Sequence, residues 1–458
     1  MKAKIVVPIL LVIIAVAALM VFRKPKEEGI VLTIITRHDT AIQLIFEEAF
    51  LQTDLAKQYN IVDLKFIGTP PQYWRTVIGR GGIDIAWGGG PTLFNENIDL
   101  LQPLTGELVM KEVNAIPDTI AGSSMKRFDD QGRVVWVASA ISSFGFIVNH
   151  NFIDKYGLDK PQTWEDLASP DFLRDFPTIA MAKPFTSTSH TRIYEIILQA
   201  FGWEDGWRLI SRMAANGRLY GGSVEAWSAV ETGEVGVSIA IDFYGYTSQV
   251  KDPNLEYVLP QGETIINGDP IALVNGTKHA EAAEAFIAYV LSVEGQANWL
   301  NPRLNRMPVR GEVFRTEAGK KRPDLYRLYN LTITNIGIEF SDDLALSYEA
   351  TMRAYFEAVI SDLHSELVNV WRSIVQAYRD GKINEEQFNM LTDMLGTPVS
   401  WTEDGKTVTM TIEYAQSINE KIRMDPEFQA QEMVKWKDAA REQYQRVYEE
   451  LQSLISGG

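Results

Sequence analysis

The chain contains no cysteine. That absence excludes a disulfide framework, a thiolate zinc site, a catalytic thiol and a lipid-bearing cysteine near the amino terminus. Basic residues are in deficit, with 43 Lys and Arg against 60 Asp and Glu, a formal net charge of -17. Nucleic-acid backbones are gripped by basic stripes, and no such stripe occurs, so no nucleic-acid partner is expected. The sequence has no HExxH, no glycine-flanked nucleophile elbow and no phosphate-loop lysine motif. Nothing in it pairs a nucleophile with a base, so it reads as a non-enzyme without a cofactor. Internal repeats and low-complexity tracts are missing as well. What is present is ample core material, 46% hydrophobic residues in 458, enough for two to three domains.

One long apolar run stands out, Ile5 to Phe22, with Lys2 and Lys4 before it and Arg23, Lys24 and Lys26 after it. Its length is about the lower limit for crossing a bilayer. Ala15, Ala17 and Ala18 offer a signal-peptidase site, whereas continuation of the run through Phe22 favours an uncleaved signal anchor. Residues 1–29 therefore read as a signal peptide or signal anchor plus linker. Basic flanks on both sides leave the orientation open. The acidic body favours export, giving an extracytoplasmic protein tethered to the membrane by residues 5–22.

The body begins as strand, helix, strand, helix, strand: Ile30–Thr36, Ala41–Phe50, Val62–Ile67, Gln72–Gly79 and Ile83–Trp87. That order predicts a parallel sheet with helical crossovers. Ligands collect beyond the carboxyl ends of such strands. Three turns converge there: Arg37–Thr40, Gly68–Pro70 and Gly88–Thr92. Val134–Ala140 reads as a strand, broken by Ser142-Ser143-Phe144-Gly145 and resumed at Phe146–Asn149. A second α/β unit follows, in which strand Gly236–Ile241 ends at an extended turn, Asp242 to Tyr246. From Ser341 the pattern becomes helical, with one long helix expected over Leu344–Tyr378 and a hairpin turning at Glu403-Asp404-Gly405.

The hydroxyl-rich stretch Thr186-Ser187-Thr188-Ser189-His190-Thr191 runs straight into an apolar, helix-periodic segment. First-turn amides of a helix lack partners, and the helix dipole is positive there. Hydroxyls beside those amides make a receptor for an anion or a carboxylate. The bland alternative is an ordinary N-cap with spare serines.

Five segments together resemble the type II periplasmic, or extracellular, solute-binding proteins of ABC importers, in the ferric-ion and related branch. They are Thr36-Arg37-His38-Asp39, Ile83 to Gly90, Ser142 to Asn149 with Pro161 to Leu167, Pro184 to Trp207, and Gly268-Asp269-Pro270-Ile271-Ala272. The resemblance implies an α/β fold of two lobes around a cleft, joined by crossings near Val137–Ser142 and Leu259–Ile266. Lobe one would comprise residues 30–138 and 264–340, and lobe two residues 139–263. Residues 341–458 would be a mostly helical extension, and the amino terminus an apolar helix. The implied function is capture of a small solute by lobe closure and delivery to a membrane permease. A sensor or structural surface protein that reuses the fold is the alternative.

On that resemblance lobe one offers His38, Asp39, Thr69, Gly89 and Gly90 as ligand-binding residues. Lobe two offers Ser143, Ser187, Thr188, Ser189 and Trp227. The crossings add Asp242, Tyr244 and Asp269. Ferric binders of the family hold iron with an adjacent tyrosine pair, often aided by a histidine and a carboxylate. The matching place here reads Phe243-Tyr244-Gly245-Tyr246, so the pair is interrupted. In extended backbone Tyr244 and Tyr246 would point the same way, giving His38, Tyr244 and Tyr246 as the iron set. An anionic solute, phosphorylated or carboxylated, suits the hydroxyl loop at least as well.

Overall fold

The computed structural model of the protein describes residues 29–334 and 337–457. The apolar segment 5–22 lies outside the described residues. Among the described residues no helix is long and apolar enough to cross a membrane.

Strand β1 (Ile30–Thr36) is built wholly of leucine and β-branched residues, which suit a pleated, buried surface. Helix α1 (Thr40–Leu51) starts where the Asp39 side chain accepts the Ile42 N–H, satisfying one orphan amide. Next come β2 (Ile61–Gly68), β3 (Ile85–Trp87) and the short α2 (Pro91–Glu96). The turn into α2 uses Gly88, Gly89 and Gly90, all at positive φ, which glycine adopts without a Cβ penalty. Strand β4 (Val134–Asn149) is 16 residues long and buried throughout. After it come β5 (Ile179–Ala182), α3 (Thr188–Phe201), α4 (Trp203–Asn216) and β6 (Gly217–Tyr220). Then follow α5 (Ser223–Glu231), β7 (Val237–Ile241), α6 (Asp242–Lys251), β8 (Leu255–Val258), β9 (Ile266–Val274) and α7 (Ala280–Leu291).

Two sheets share β4. Lobe one is ordered β2-β1-β3-β9-β4, parallel among β1, β2 and β3 and antiparallel at β9. Lobe two is ordered β6-β5-β7-β4-β8, with β4 antiparallel to both neighbours. The exchange of partners falls at one point. Ser143 pairs with Ile266 of β9, and Phe144 pairs with Ile241 of β7. The hydrogen-bonded path is thus unbroken while the two halves belong to different lobes. The expected interruption at Ser142–Gly145 does not occur. Gly145 is needed there because a Cβ would stand 2.1 Å from the Val258 carbonyl of β8.

The extension contains α8 (Asp342–Phe356), a π-helical turn at Glu357–Ser361, and α9 (His364–Arg379). The single helix expected over Leu344–Tyr378 is therefore divided by a π bulge. Next come α10 (Glu385–Gly396), the hairpin β10 (Ser400–Glu403) and β11 (Lys406–Thr409), α11 (Ile412–Met424) and α12 (Pro426–Gly457). The hairpin turns at Asp404-Gly405, both at positive φ, as a tight two-residue turn requires. The extension shares one apolar core with lobe two: Tyr194 and Trp207 lie in the same cluster as Tyr355, Phe356, Trp371 and Trp436.

Candidate functional site

A cavity of about 380 Å³ lies between the lobes. It collects the turn after β1, the glycine turn before α2, the start of α3, the start of α5 and the first residues of α6. Two helix N-termini from lobe two therefore face it, those of α3 and α5, 14 and 9 residues long. Their unpaired amides and dipoles favour a negative guest.

Three arginines line the cavity: Arg37, Arg192 and Arg306. Arg306 Nη2 lies 2.5 Å from Asp269 Oδ2, and it also donates to Ser142 Oγ at 3.2 Å. Asp269 Oδ1 accepts the Gly89 N–H at 3.0 Å, so this carboxylate is committed to the glycine turn and to Arg306. A register shift in β9 between Asp269 and Pro270 accompanies that placement. Arg192 pairs with Asp342 and Glu195. Arg37 differs. Its Nη1 donates to the Thr69 carbonyl and its Nη2 to the Thr186 carbonyl, each at 3.2 Å. The second bond crosses from lobe one to lobe two. Among the described residues Arg37 makes no ion pair, and its guanidinium bonds only to carbonyls; Asp39 and Glu225 line the same cavity. Burial lowers the Arg37 pKa, and the neighbouring Tyr244 pulls the other way.

Beside Arg37, three hydroxyls form a cluster. Ser223 Oγ is 2.6 Å from Ser187 Oγ and 2.9 Å from Ser189 Oγ, and the two loop serines are 3.2 Å apart. Ser187 is the N-cap of α3, accepting the His190 N–H, and is itself buried. Its Oγ lies 2.9 Å from His190 Nδ1, a contact that a nucleophile and base would also make. Here it serves a cap beneath the cavity. Burial pushes the His190 imidazole down to about 3, so it is neutral.

Of the residues expected from sequence, the cavity is lined by His38, Asp39, Gly89, Gly90, Thr188, Ser189, Tyr244 and Asp269. The other five stand behind that lining. Thr69 presents its carbonyl to Arg37 and to Trp74 Nε1. Ser187 backs Ser189 and Ser223. Trp227 stacks on Tyr244 at 4.6 Å and donates to Ser248 Oγ. Ser143 gives its N–H and Oγ–H to Asp242, at 2.9 and 3.2 Å. Asp242 is fully buried, and burial pushes its carboxyl up to about 7 against the pull of Arg306 and the Ser143 N–H. This pair ties α6 to β4 where the lobes exchange strands.

The iron set is not assembled. Residues 242–251 are helical, so Tyr244 and Tyr246 do not share a direction. Tyr246 is buried beside Tyr257, with its hydroxyl 3.4 Å from Thr332 Oγ1. His38 is held edge-on to Trp87 at 4.6 Å, with Arg306 Nη1 3.4 Å from its Nδ1. Desolvation drives its pKa down to about 3, with Asp269 raising it and Arg306 lowering it. A guanidinium at that distance disfavours a cation, so this donor set does not fit Fe³⁺. Among the described residues no group of three or more His, Cys, Asp or Glu is placed to hold a metal ion.

Sequence reasoning missed Arg192, Ser223, Glu225, Asn267 and Arg306 as cavity residues. Arg37 and Thr186 lay inside turns already singled out, but they were not assigned. Gly221-Gly222-Ser223, a glycine pair opening a helix, was a readable signal for the second N-terminus.

A two-lobed α/β body with a polar, cation-bearing cleft at the lobe junction is the architecture of a solute receptor. Residues 97–326 match the family of bacterial extracellular solute-binding proteins, and the chain belongs to that family. The phosphoglycerate transport regulatory protein PgtC of Salmonella typhimurium is 28% identical over 222 residues, 47% of this chain and 54% of PgtC. The chain thus spans about half the length of the curated relatives it matches. Among solved structures, the periplasmic binding protein AfuA of Actinobacillus pleuropneumoniae, with fructose-6-phosphate bound, is 17% identical with a TM-score of 0.54. That match covers 67% of this chain and 99% of AfuA. Iron-bound HitA of Pseudomonas aeruginosa is 19% identical with a TM-score of 0.51, covering 62% of this chain and 87% of HitA. At these identities the two structures establish the fold alone.

Proposed function

We propose that the protein captures a small anionic solute, a phosphorylated organic compound, between its lobes outside the cytoplasmic membrane. It then delivers that solute to the permease of an ABC importer. The observation that carries the reading is Arg37, a cation in no ion pair that bridges the lobes beside a hydroxyl cluster and two helix N-termini. A phosphate group carries about -1.5 to -2 charges at neutral pH and accepts several hydrogen bonds, which matches that surround. Two of the three similar proteins named above point the same way: one name concerns phosphoglycerate, and one structure holds fructose-6-phosphate, while HitA is iron-bound. The match to an extracellular family supports the location.

The test is thermal shift and calorimetry with 3-phosphoglycerate and fructose 6-phosphate, with a ferric chelate and a neutral sugar as controls. A phosphorylated probe at a hundred times its Kd should stabilise the protein by about 2.7 kcal/mol. Arg37→Gln should weaken that probe tenfold or more, about 1.4 kcal/mol. The double variant Thr188→Ala/Ser189→Ala should weaken it too, while sparing the Ser187 cap. A shift with the ferric chelate alone, or an Arg37→Gln variant that binds as well as the parent, overturns the reading.

A further inference from the structure

We propose that the carboxyl-terminal extension supplies a positioning residue to the solute cleft: Asp342 fixes Arg192 and cancels its charge, and so sets how much negative charge the cleft accepts. The proposal rests on the reading of the cleft as an anion site. Arg192 lies in the second turn of α3 and lines the cavity, yet is only 3% exposed. Its Nη1 donates to Glu195 Oε2 at 3.2 Å. Its Nη2 donates to Asn267 Oδ1 at 3.0 Å and to Asp342 Oδ1 at 2.5 Å. Its guanidinium also lies over the Phe340 ring, 4.5 Å from the centroid.

The two carboxyl partners are not equivalent. Glu195 is fully buried against Glu349, and burial together with that neighbour's charge holds its carboxyl well above the usual range. Its pull on Arg192 ranks behind that of Asp342, which is also the nearer carboxylate, at 2.5 Å against 3.2 Å. Asp342 is thus the stronger charge partner of Arg192. Its position is built rather than incidental. Ser341, the N-cap of α8, is clamped to α3 by reciprocal bonds: Gln199 Nε2 donates to the Ser341 carbonyl at 3.0 Å, and the Ser341 N–H donates to Gln199 Oε1 at 2.8 Å. The family match ends at residue 326, so Asp342 lies beyond the matched residues.

The consequence is a charge count. Arg306 is paired with Asp269 and Arg192 with Asp342, which leaves Arg37 as the one lining arginine outside an ion pair among the described residues, with Asp39 and Glu225 as the lining carboxylates outside one. Removing the Asp342 charge would take the nearer counter-charge from Arg192, a second arginine of the same cavity lining. The cleft should then turn toward guests with a second anionic group. Asp342→Asn keeps the size and one acceptor but loses the charge. Asp342→Glu keeps the charge.

Two readouts decide the matter. The first is the ratio of affinities for 3-phosphoglycerate and glycerol 3-phosphate, which differ in a carboxylate. Asp342→Asn should move this ratio toward 3-phosphoglycerate by about tenfold, and Asp342→Glu should restore the parent ratio. The second needs no solute: phenylglyoxal modification of the free protein, mapped by mass spectrometry. Asp342→Asn should speed modification at Arg192 several-fold and leave Arg306 unchanged. An unchanged Arg192 rate, or an unchanged ratio with probes that bind, overturns the proposal. If neither probe binds parent or variant, the anion reading of the cleft falls with the charge-selectivity claim, and the Arg192 rate still decides whether Asp342 positions that side chain.

Discussion

His190 shows how burial at one residue becomes a pH dependence of the whole protein. Its imidazole sits beneath the serine cluster with Nε2 unpartnered, and burial holds its pKa at about 3 instead of 6.5. The unfolded chain binds a proton at this residue below pH 6.5, and the folded chain does so only near pH 3. Native stability from this group is therefore intact above pH 6.5 and falls as the pH drops through that window, by about 1.4 kcal/mol per unit. His190→Asn can retain the contact to Ser187 and does not titrate. Its stability relative to the parent should improve by about 2–3 kcal/mol between pH 6 and pH 4, read by urea unfolding at each pH. A parallel pH dependence in the two proteins would show that His190 is protonated in the native state. At this scale the sequence was readable where signals are local: hydroxyls at a helix start, glycines after a strand. Arg192 and Arg306 carried no such signal, because an arginine in a helix or a loop looks the same whether it faces solvent or a cleft. Their partners, Asp342 and Asp269, lie 150 and 37 residues away.

The elements were legible where apolar periodicity ran unbroken, apart from the π bulge that divides Leu344–Tyr378, and misread where glycine stood for something other than a turn. Phe243-Tyr244-Gly245-Tyr246 reads as extended because glycine weakens a helix, by about 1 kcal/mol relative to alanine. In the fold it is the first part of α6, and glycine is there for packing. A Cβ at Gly245 would lie 2.3 Å from the Tyr257 ring of β8. Gly145 in β4 follows the same logic against the Val258 carbonyl. Gly245→Ala should therefore destabilise the protein by about 1–3 kcal/mol despite better helix propensity, the usual cost of overfilling a close-packed site. Equilibrium denaturation measures this, and a neutral or stabilising result would mean that α6 and β8 have room to separate. The same displacement would move Tyr244, so solute affinity should fall alongside stability.

For the molecule as a whole, the change of character at Ser341 was plain in the sequence, but the body to which the added helices attach was not, because amphipathic helices announce an apolar face without naming its partner. That partner is lobe two. Tyr194 of α3 stacks on Phe356 of α8 at 4.7 Å, and Trp207 of α4 meets Tyr355 edge-on at 4.8 Å. Trp371 Nε1 donates to Asn216 Oδ1 at 2.8 Å, and Trp203 Nε1 donates to the Met410 carbonyl at 2.8 Å. Contact with lobe one is polar instead: Arg353 lies 3.5 Å from Glu96, Arg423 donates to the Glu96 carbonyl at 3.0 Å, and Arg127 pairs with Asp343 at 3.2 Å. Burying a large apolar side chain contributes about 1.5–3 kcal/mol. A handful of such rings across the joint approaches the entire stability of a typical domain, about 5–15 kcal/mol. Residues 29–340 alone should therefore fail to form a cooperative lobe two. The truncated chain is expected to bind a hydrophobic dye, to lose near-ultraviolet dichroism and to aggregate, whereas the full chain unfolds lobe two and the extension in one transition. A monomeric truncated protein with a sharp melt and an unaltered shift with fructose 6-phosphate would make the extension an accessory. The asymmetry of its two joints, apolar to lobe two and ionic to lobe one, also fixes which can part. If the lobes swing open, α8 travels with lobe two, and the Arg353–Glu96, Arg423–Glu96 and Arg127–Asp343 contacts are the ones its joint to lobe one loses.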